Sequence, residues 1–449
     1  MASTYLTRTQ SAGNRKTFTI SAWVKRSALS TDSTILNSNT TSTTHDSLYF
    51  VNDTLSFFSY SGSFQCYLIT NRLFRDTSAW YHIVVEVDTT QATSSDRVKI
   101  YVNGVQETSF STETYPSQNY DFILFNNSAR IEIGARKNFS DVVEKYFDGS
   151  MAHYHFIDGT AYDASAFGET DANGVWTINA APSVTYGTNG FFILRNSASV
   201  TDQSGNGNNW TVAGGTLTDT LDCPDNVFAT MNPLENYQQQ GTYSNGNNTY
   251  QTNTSNFTYN SSTLGVSSGK WYWEVEYDAK SGGTDQPMIG ITSTQPTNTD
   301  QELGNFANDF GWYTDNGTGY LSNNNSYTDE GFNAYTVGDI ISVALDLDNN
   351  KLYFAKNGTW EKSGDPTSGA TGTGAISITA PSSTPLGAYF PSVAFGTGSY
   401  NGTFKANFGN GYFGTTQISS AGTNASGNGI FEYDVPTGYT ALSTKGLNL

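Results

Sequence analysis

The sequence predicts an all-β protein built from two antiparallel β-sandwiches, and three observations carry that expectation. Only 14% of its 449 residues are charged, against roughly 25% in ordinary globular chains, and Ser, Thr, Asn and Gly fill the difference. Those residues make poor helices and good turns. Short segments alternate apolar and polar side chains between turn residues, which is the period of half-buried strands. Hydrophobic residues are 36% and aromatic residues 14% of the chain. That is enough apolar surface for two or three packed cores, and it argues against disorder.

In the first half, residues 18–25 alternate clearly and residues 82–88 less strictly. Residues 97–102 run into Asn103-Gly104, a strong hairpin signal. Residues 131–134 and 154–159 continue the pattern, and only 164–169 read as briefly helical. Alternation fades between Asp222 and Gln240, where Pro224 and Pro233 precede a Gln run. Phe228 and Leu234 mark this stretch as a connector packed on a domain. Strand patterns resume after Gly241, at 271–277, 340–346 and 351–354. The expected organisation is a domain over 1–222, a packed linker over 223–240 and a second domain over 241–449.

Charge and motif content exclude several functions. The net charge is −19, from 21 Lys and Arg against 40 Asp and Glu. No basic cluster exists to neutralise phosphates, so nucleic acid and anionic membranes are poor partners. No 18-residue apolar run and no signal peptide are present, so neither membrane insertion nor secretion is expected. Cys66 and Cys223 are too few for a disulfide framework and read as free, with one long-range bridge as the alternative. His45 falls in a loop and His82, His153 and His155 in strands. His153 and His155 share a face without a third ligand, which argues against zinc. No nucleophile elbow or phosphate-binding loop occurs. Glu274, Glu276 and Asp278 share one face of a strand. Such spacing resembles that of retaining glycosidases, whose working carboxyls stand roughly 5 Å apart.

Thr19-Ile20-Ser21-Ala22-Trp23-Val24, Trp80-Tyr81-His82, Lys99-Ile100-Tyr101-Val102-Asn103-Gly104 and Phe147-Asp148-Gly149-Ser150-Met151 follow in that order. Together they resemble a LamG or concanavalin A-like jelly roll covering most of 1–215. The phrase at 202–210 usually lies near the start of such domains, yet here it comes last. Late strands are therefore expected to close the sandwich that relatives close with early ones. In the second half, 269–277, 288–291, 311–313, 337–346, 351–358, 389–393 and 405–409 resemble the SPRY domain. Both resemblances imply recognition and not chemistry. The acidic series runs Glu-x-Glu-x-Asp, unlike the Glu-x-Asp-x-x-Glu of concanavalin-like glycosidases, and Glu274 stands where SPRY strands often carry Glu. No catalytic residue is expected.

The LamG resemblance implies calcium, with Asp202, Asn206 and Asn208 as oxygen donors; the same residues also simply make a turn. Sugar recognition needs an aromatic face beside polar groups. The segment 312–325, read as a loop, supplies Tyr320, Asn323, Asn324, Asn316 and Asp315 for this, with Tyr120 and Trp210 as further candidates and Trp312 assigned to the core. The domain pair, with the phrases at 156–162 and 228–234, resembles fibre and appendage proteins of marine bacteriophages. That resemblance implies a virion protein made in the host cytoplasm and released by lysis. It further implies a homo-oligomer that binds host cell-surface polysaccharide and other virion proteins. The alternatives are a capsid or tail decoration protein making only protein–protein contacts, and a polysaccharide depolymerase.

Overall fold

The strand Thr17–Arg26 is the spine of the first half of the chain: it is flanked by Tyr81–Asp88 on one side and Gly149–Asp158 on the other. Its position is seen in a computed structural model that describes residues 3–41, 43–138, 140, 142–195, 197–235, 241–253, 258–295, 301–396 and 399–448. The Gln run at 238–240 lies outside the described residues. The chain divides into two units, Met1–Asp219 with Cys223–Asp225, and Thr220–Asp222 with Asn226–Leu449.

The first unit is a sandwich of an eight-stranded and a six-stranded antiparallel sheet. Alternation sends Phe18, Ile20 and Val24 inward from the six-stranded sheet, against Leu48, Phe57 and Ile131 from the other. The expected late closure is present at both sheets. Phe191–Ile193 pairs with Gly149–Asp158 at the edge of the six-stranded sheet, and Thr211–Ala213 pairs with Tyr5–Thr9 at the edge of the eight-stranded one. The short helical stretch is a single 3₁₀ turn, Ala164–Ala166, capped by the Asp163 carboxylate.

The second unit also packs two sheets. Its nine-stranded sheet centres on Lys270–Lys280 and Ile340–Asp346, and its six-stranded sheet on Pro287–Thr292 and Phe390–Phe395. Trp273, Tyr277, Trp312 and Phe404 fill the space between them. A second apolar layer forms on the outside of the nine-stranded sheet, where Phe431, Val435 and Tyr439 cover Tyr272 and Tyr353. Residues 226–235 belong to this unit: Phe228 bridges to Ser443 and Met231 to Ser262, so the stretch read as a connector is built into the second sandwich.

Three histidines lie on the strands of the first unit's six-stranded sheet. The His82 Nδ1 accepts from Trp176 Nε1 at 3.0 Å, which leaves its Nε2–H to bond Ser21 Oγ at 2.9 Å. His155 bonds the Tyr186 hydroxyl at 2.9 Å and stacks on Phe192 at 3.9 Å. His153 adopts a left-handed φ of 46°, where the register shifts between Ala152 and His155. Among the described residues, no group of three or more His, Cys, Asp or Glu could hold a metal.

The two units are expected to respond to pH in opposite directions. Burial pushes His82 down from 6.5 to about 3 and His45 and His153 to about 4, and it lowers His155 as well. A group whose folded value is depressed keeps its neutral form, so this stability is present above the unfolded value near 6.5 and is lost as pH falls. For His82 alone the shift corresponds to on the order of 5 kcal/mol. Asp46, Glu132 and Asp148, raised by burial, offset part of it. In the second unit burial raises Glu274 from 4.5 and Asp309 from 3.8, both to about 7. The folded state there holds the proton more tightly, so its stability falls as pH rises from about 4 through 7. Hydrogen exchange, corrected for intrinsic rates, is expected to show 149–158 opening more readily at pH 5 than at pH 8, and 270–280 the reverse. Parallel behaviour of the two segments would contradict the assignment.

Candidate functional site

One half of the outer face of the eight-stranded sheet carries a cluster of aromatic rings. Cross-strand pairing places Tyr67 beside Phe58, and Ser56 beside Tyr49. A register shift between Ser59 and Tyr60 pairs Tyr60 with Phe64, leaving Gln65 as the extra residue. Such a bulge re-aims a side chain, and here it brings Phe64 over Tyr67 in a stack of 4.0 Å with 7° between planes. Tyr60 meets Phe64 edge-on at 5.0 Å, and His45 lies 5.2 Å from Tyr60. Phe64 is 44% exposed, while Phe58 beneath it is 3% exposed; the exposed ring therefore stands on a packed base.

Beside the rings runs a strip of polar side chains on the same face. Asn39 pairs with His45, Asn37 with Ser47, and Glu132 with Asn37. Asn37 donates its Nδ2 to Glu132 Oε2 at 3.3 Å, and Arg130 Nε bonds the other Glu132 oxygen. Burial raises the Glu132 carboxyl and Arg130 works against that rise. The Oδ1 atoms of Asn37 and Asn39 are buried without a hydrogen-bond partner. Such atoms are costly unless something satisfies them. The exposed rings suit a ligand with an apolar C–H face; the two amide oxygens are buried three strands away, about 14 Å from the Phe64–Tyr67 stack.

Two family descriptions match the chain: residues 2–166 match "Concanavalin A-like lectin/glucanases superfamily" and residues 270–411 match "SPRY domain". The chain joins a concanavalin A-like domain to a SPRY domain. No curated protein sequence matches it. Similar solved structures include the SPRY domain of human HERC1, at 19% identity and TM-score 0.30, covering 39% of this chain and 96% of that one. Stonustoxin is similar at 21% identity and TM-score 0.28, covering 40% of this chain and 27% of that one. The TRIM65 PSpry domain is similar at 11% identity and TM-score 0.29, covering 39% and 88%. Both matched domains are of binding type.

In the SPRY domain the segment read as a loop is a hairpin, Asp309–Asp315 paired with Thr318–Asn323. Asn316 and Gly317 form its left-handed turn, while Asn324 and Asn325 form the next one at the far end of the second strand. At about 3.3 Å per residue, the two turns are roughly 17 Å apart, so Asn316 and Asp315 do not share a site with Asn323 and Asn324. Asn323 is already used, donating to the carbonyls of Ala307 at 3.0 Å and Asp309 at 2.7 Å. The Asp315 carboxylate accepts from Gln286 at 3.2 Å. Tyr320 is half-buried against Tyr313, with the exposed Tyr327 on Tyr313's other flank. Gly319 enters this strand because a Cβ there would meet the carbonyl oxygens of Asn333 and Phe332 at 2.5 and 2.6 Å.

The three carboxylates of Lys270–Lys280 are structural. Glu274 is fully buried and accepts from Tyr272 Oη at 2.9 Å and from the backbone N–H groups of Glu432 and Tyr433 at 2.8 and 2.9 Å. Glu276 and Asp278 both bond Lys405.

In the concanavalin A-like domain Trp210 is 4% exposed and meets Phe191 edge-on at 5.0 Å. A buried ring offers no face to a sugar, so it leaves the candidate set. Tyr120 is half-buried on the core, its hydroxyl 2.9 Å from Ser59 Oγ. Neither Cys66 nor Cys223 is in a disulfide, and burial raises the Cys66 thiol.

The proposed calcium donors do not fit an ion. The four bonds the Asp202 carboxylate accepts come from Phe192 N, Ser204 N, Ser204 Oγ and Asn208 N, at 2.8–2.9 Å. Asn206 and Asn208 turn their Nδ2 donors inward to the carbonyls of Gly187, Thr188 and Gly190. Arg8 supplies the local positive charge, with one guanidinium nitrogen 2.5 Å from Asn208 Oδ1. These residues form a hydrogen-bonded loop and not the oxygen cage that calcium requires. Millimolar calcium or a chelator is therefore expected to leave the melting temperature unchanged. A calcium-dependent rise of about 2–4 °C, as ~1 kcal/mol of linkage would give a domain of this size, would overturn that reading. Asp202→Ala, by contrast, is expected to destabilise the domain through the orphaned N–H groups of Phe192 and Asn208.

Proposed function

We propose that the protein is a non-enzymatic recognition protein whose concanavalin A-like domain binds cell-surface glycan on the outer face of its eight-stranded sheet. The observation that carries this reading is the Phe64–Tyr67 stack at 4.0 Å, whose outer ring is 44% exposed over the packed Phe58. Pyranose rings present an apolar face to aromatic side chains, and the exposed rings of this sheet face supply one. The setting that fits is a bacteriophage adhesin meeting host polysaccharide. Its support is the resemblance of the domain pair and the connecting phrases to marine phage appendage proteins. A decoration protein that makes only protein–protein contacts is the reading to which failure of the test below would lead. A depolymerase is disfavoured, because Glu274 is fully buried and Glu276 and Asp278 are paired with Lys405.

Saturable binding of the full chain to host-derived polysaccharide is expected. Phe64→Ala and Tyr67→Ala should each cost about 0.5–1.5 kcal/mol, or roughly a 2- to 12-fold weaker Kd, without a fall in melting temperature that accounts for it. No release of reducing ends should accompany binding. Polysaccharide binding that both variants leave untouched would move the site elsewhere. No binding by the well-folded protein would end the adhesin reading.

A further inference from the structure

The SPRY domain has a small pocket where its late segment leaves the nine-stranded sheet. Glu274, Ser342, Ala355 and Trp360 lie in one cross-strand row on the outer face of that sheet. Glu274 pins the backbone of Glu432 and Tyr433 over one end of the row. Ala355 is too small to fill the space beside it, which leaves a pocket of about 210 Å³ lined by Tyr272, Ser342, Ala355, Gly358, Trp360, Tyr433 and Asp434. Gly358 is in a left-handed turn, and a Cβ there would lie 2.6 Å from the Tyr433 ring; the turn thus holds that ring at the mouth.

The lining defines what can enter. Ser342 is 1% exposed and its Oγ makes no hydrogen bond of normal geometry, although it faces the pocket. The Tyr272 hydroxyl gives its proton to Glu274 and has the Ser342 hydroxyl beside it. Trp360 and Tyr433 are half-buried, each with part of its ring free. Asp434 is exposed at the rim and uses Oδ1 to hold Thr423. No cation lines the pocket, which disfavours phosphate, sulfate or carboxylate ligands. The volume falls below the roughly 300–1,000 Å³ of drug-sized sites, so one ring fits and an oligomer does not.

We propose that this pocket is a second binding site that takes a single neutral pyranose ring, held between Trp360 and Tyr433 with its hydroxyls on Ser342 Oγ, Tyr272 Oη and Asp434. It belongs to a different domain from the aromatic face, and neither site depends on the other. A chain with one monosaccharide pocket and one extended aromatic face would engage a glycan at a terminal residue as well as along its length.

Saturation-transfer NMR on the full chain with methyl glycosides of glucose, galactose and mannose tests this, with tetramethylammonium as a cationic control. At least one glycoside is expected to bind, and Ser342→Val and Trp360→Ala should each weaken it at least tenfold. Ser342→Val keeps the strand's shape and shifts no backbone, so it separates site loss from misfolding, with circular dichroism as the check. Phe64→Ala separates the two sites: glycoside binding lost with Phe64→Ala and kept in both pocket variants would assign it to the concanavalin A-like domain and overturn the proposal. Absence of glycoside binding, binding indifferent to Ser342→Val, or preference for tetramethylammonium would each overturn the proposal.

Discussion

Buried carboxylates that each capture two backbone N–H groups from a distant segment hold both domains in shape. Asp46 accepts from Leu124 and Phe125, and Asp158 from Asn14 and Asn189. Glu274 does the same for Glu432 and Tyr433. Irregular chain can cover a sheet only if its donors find acceptors. Regular pairing cannot supply those acceptors, so side-chain oxygens do. Removing one such carboxylate orphans two buried donors at about 1–3 kcal/mol each, a large share of a domain's margin. In this respect the chain's acidity is partly architectural.

That device also decides which sheet faces remain open. In the SPRY domain Glu274 draws the late segment across the nine-stranded sheet, and the pocket is what the cover leaves uncovered. In the concanavalin A-like domain a lysine covers part of the sheet instead: the Lys145 ammonium lies 5.4 Å from the centre of the Tyr49 ring. The rings of Tyr60, Phe64 and Tyr67 remain accessible beyond it. Both open places share a construction: a packed strand row flanked by aromatic side chains that keep part of their rings accessible.

Much of the fold was legible because period-two alternation and turn residues report directly on sheet faces. The Asn103-Gly104 turn follows from such signals, while the buried Trp312 and the late closure by residues near 191 and 212 follow from the SPRY and LamG resemblances. The aromatic face of the eight-stranded sheet was not legible. Phe64 would alternate inward with Cys66, and only a bulge at Gln65 brings it outward; a register shift leaves no mark on a hydrophobicity pattern. The Asn-rich segment misled for the opposite reason. Asn316 and Asn324 signal turns, but the strand between them is short and includes Gly319, so two turns joined by a strand read as one loop. Trp210 misled because an aromatic after a Gly-Asn turn looks exposed, while its burial depends on Phe191, a partner nineteen positions upstream.

The pairing of Tyr5–Thr9 with Thr211–Ala213 has a consequence for how the protein is born. At about 5–20 residues per second, the first strand emerges from the ribosome roughly ten to forty seconds before its edge partner exists. For that interval a nascent chain presents an unpaired sheet edge, the surface on which β proteins stick to one another. Closure over so long a separation is slow in itself. The Ser, Thr and Arg side chains at Ser3, Thr4, Thr7, Arg8 and Thr9 keep that waiting edge polar, so the chain guards during synthesis a border that the finished sandwich no longer exposes.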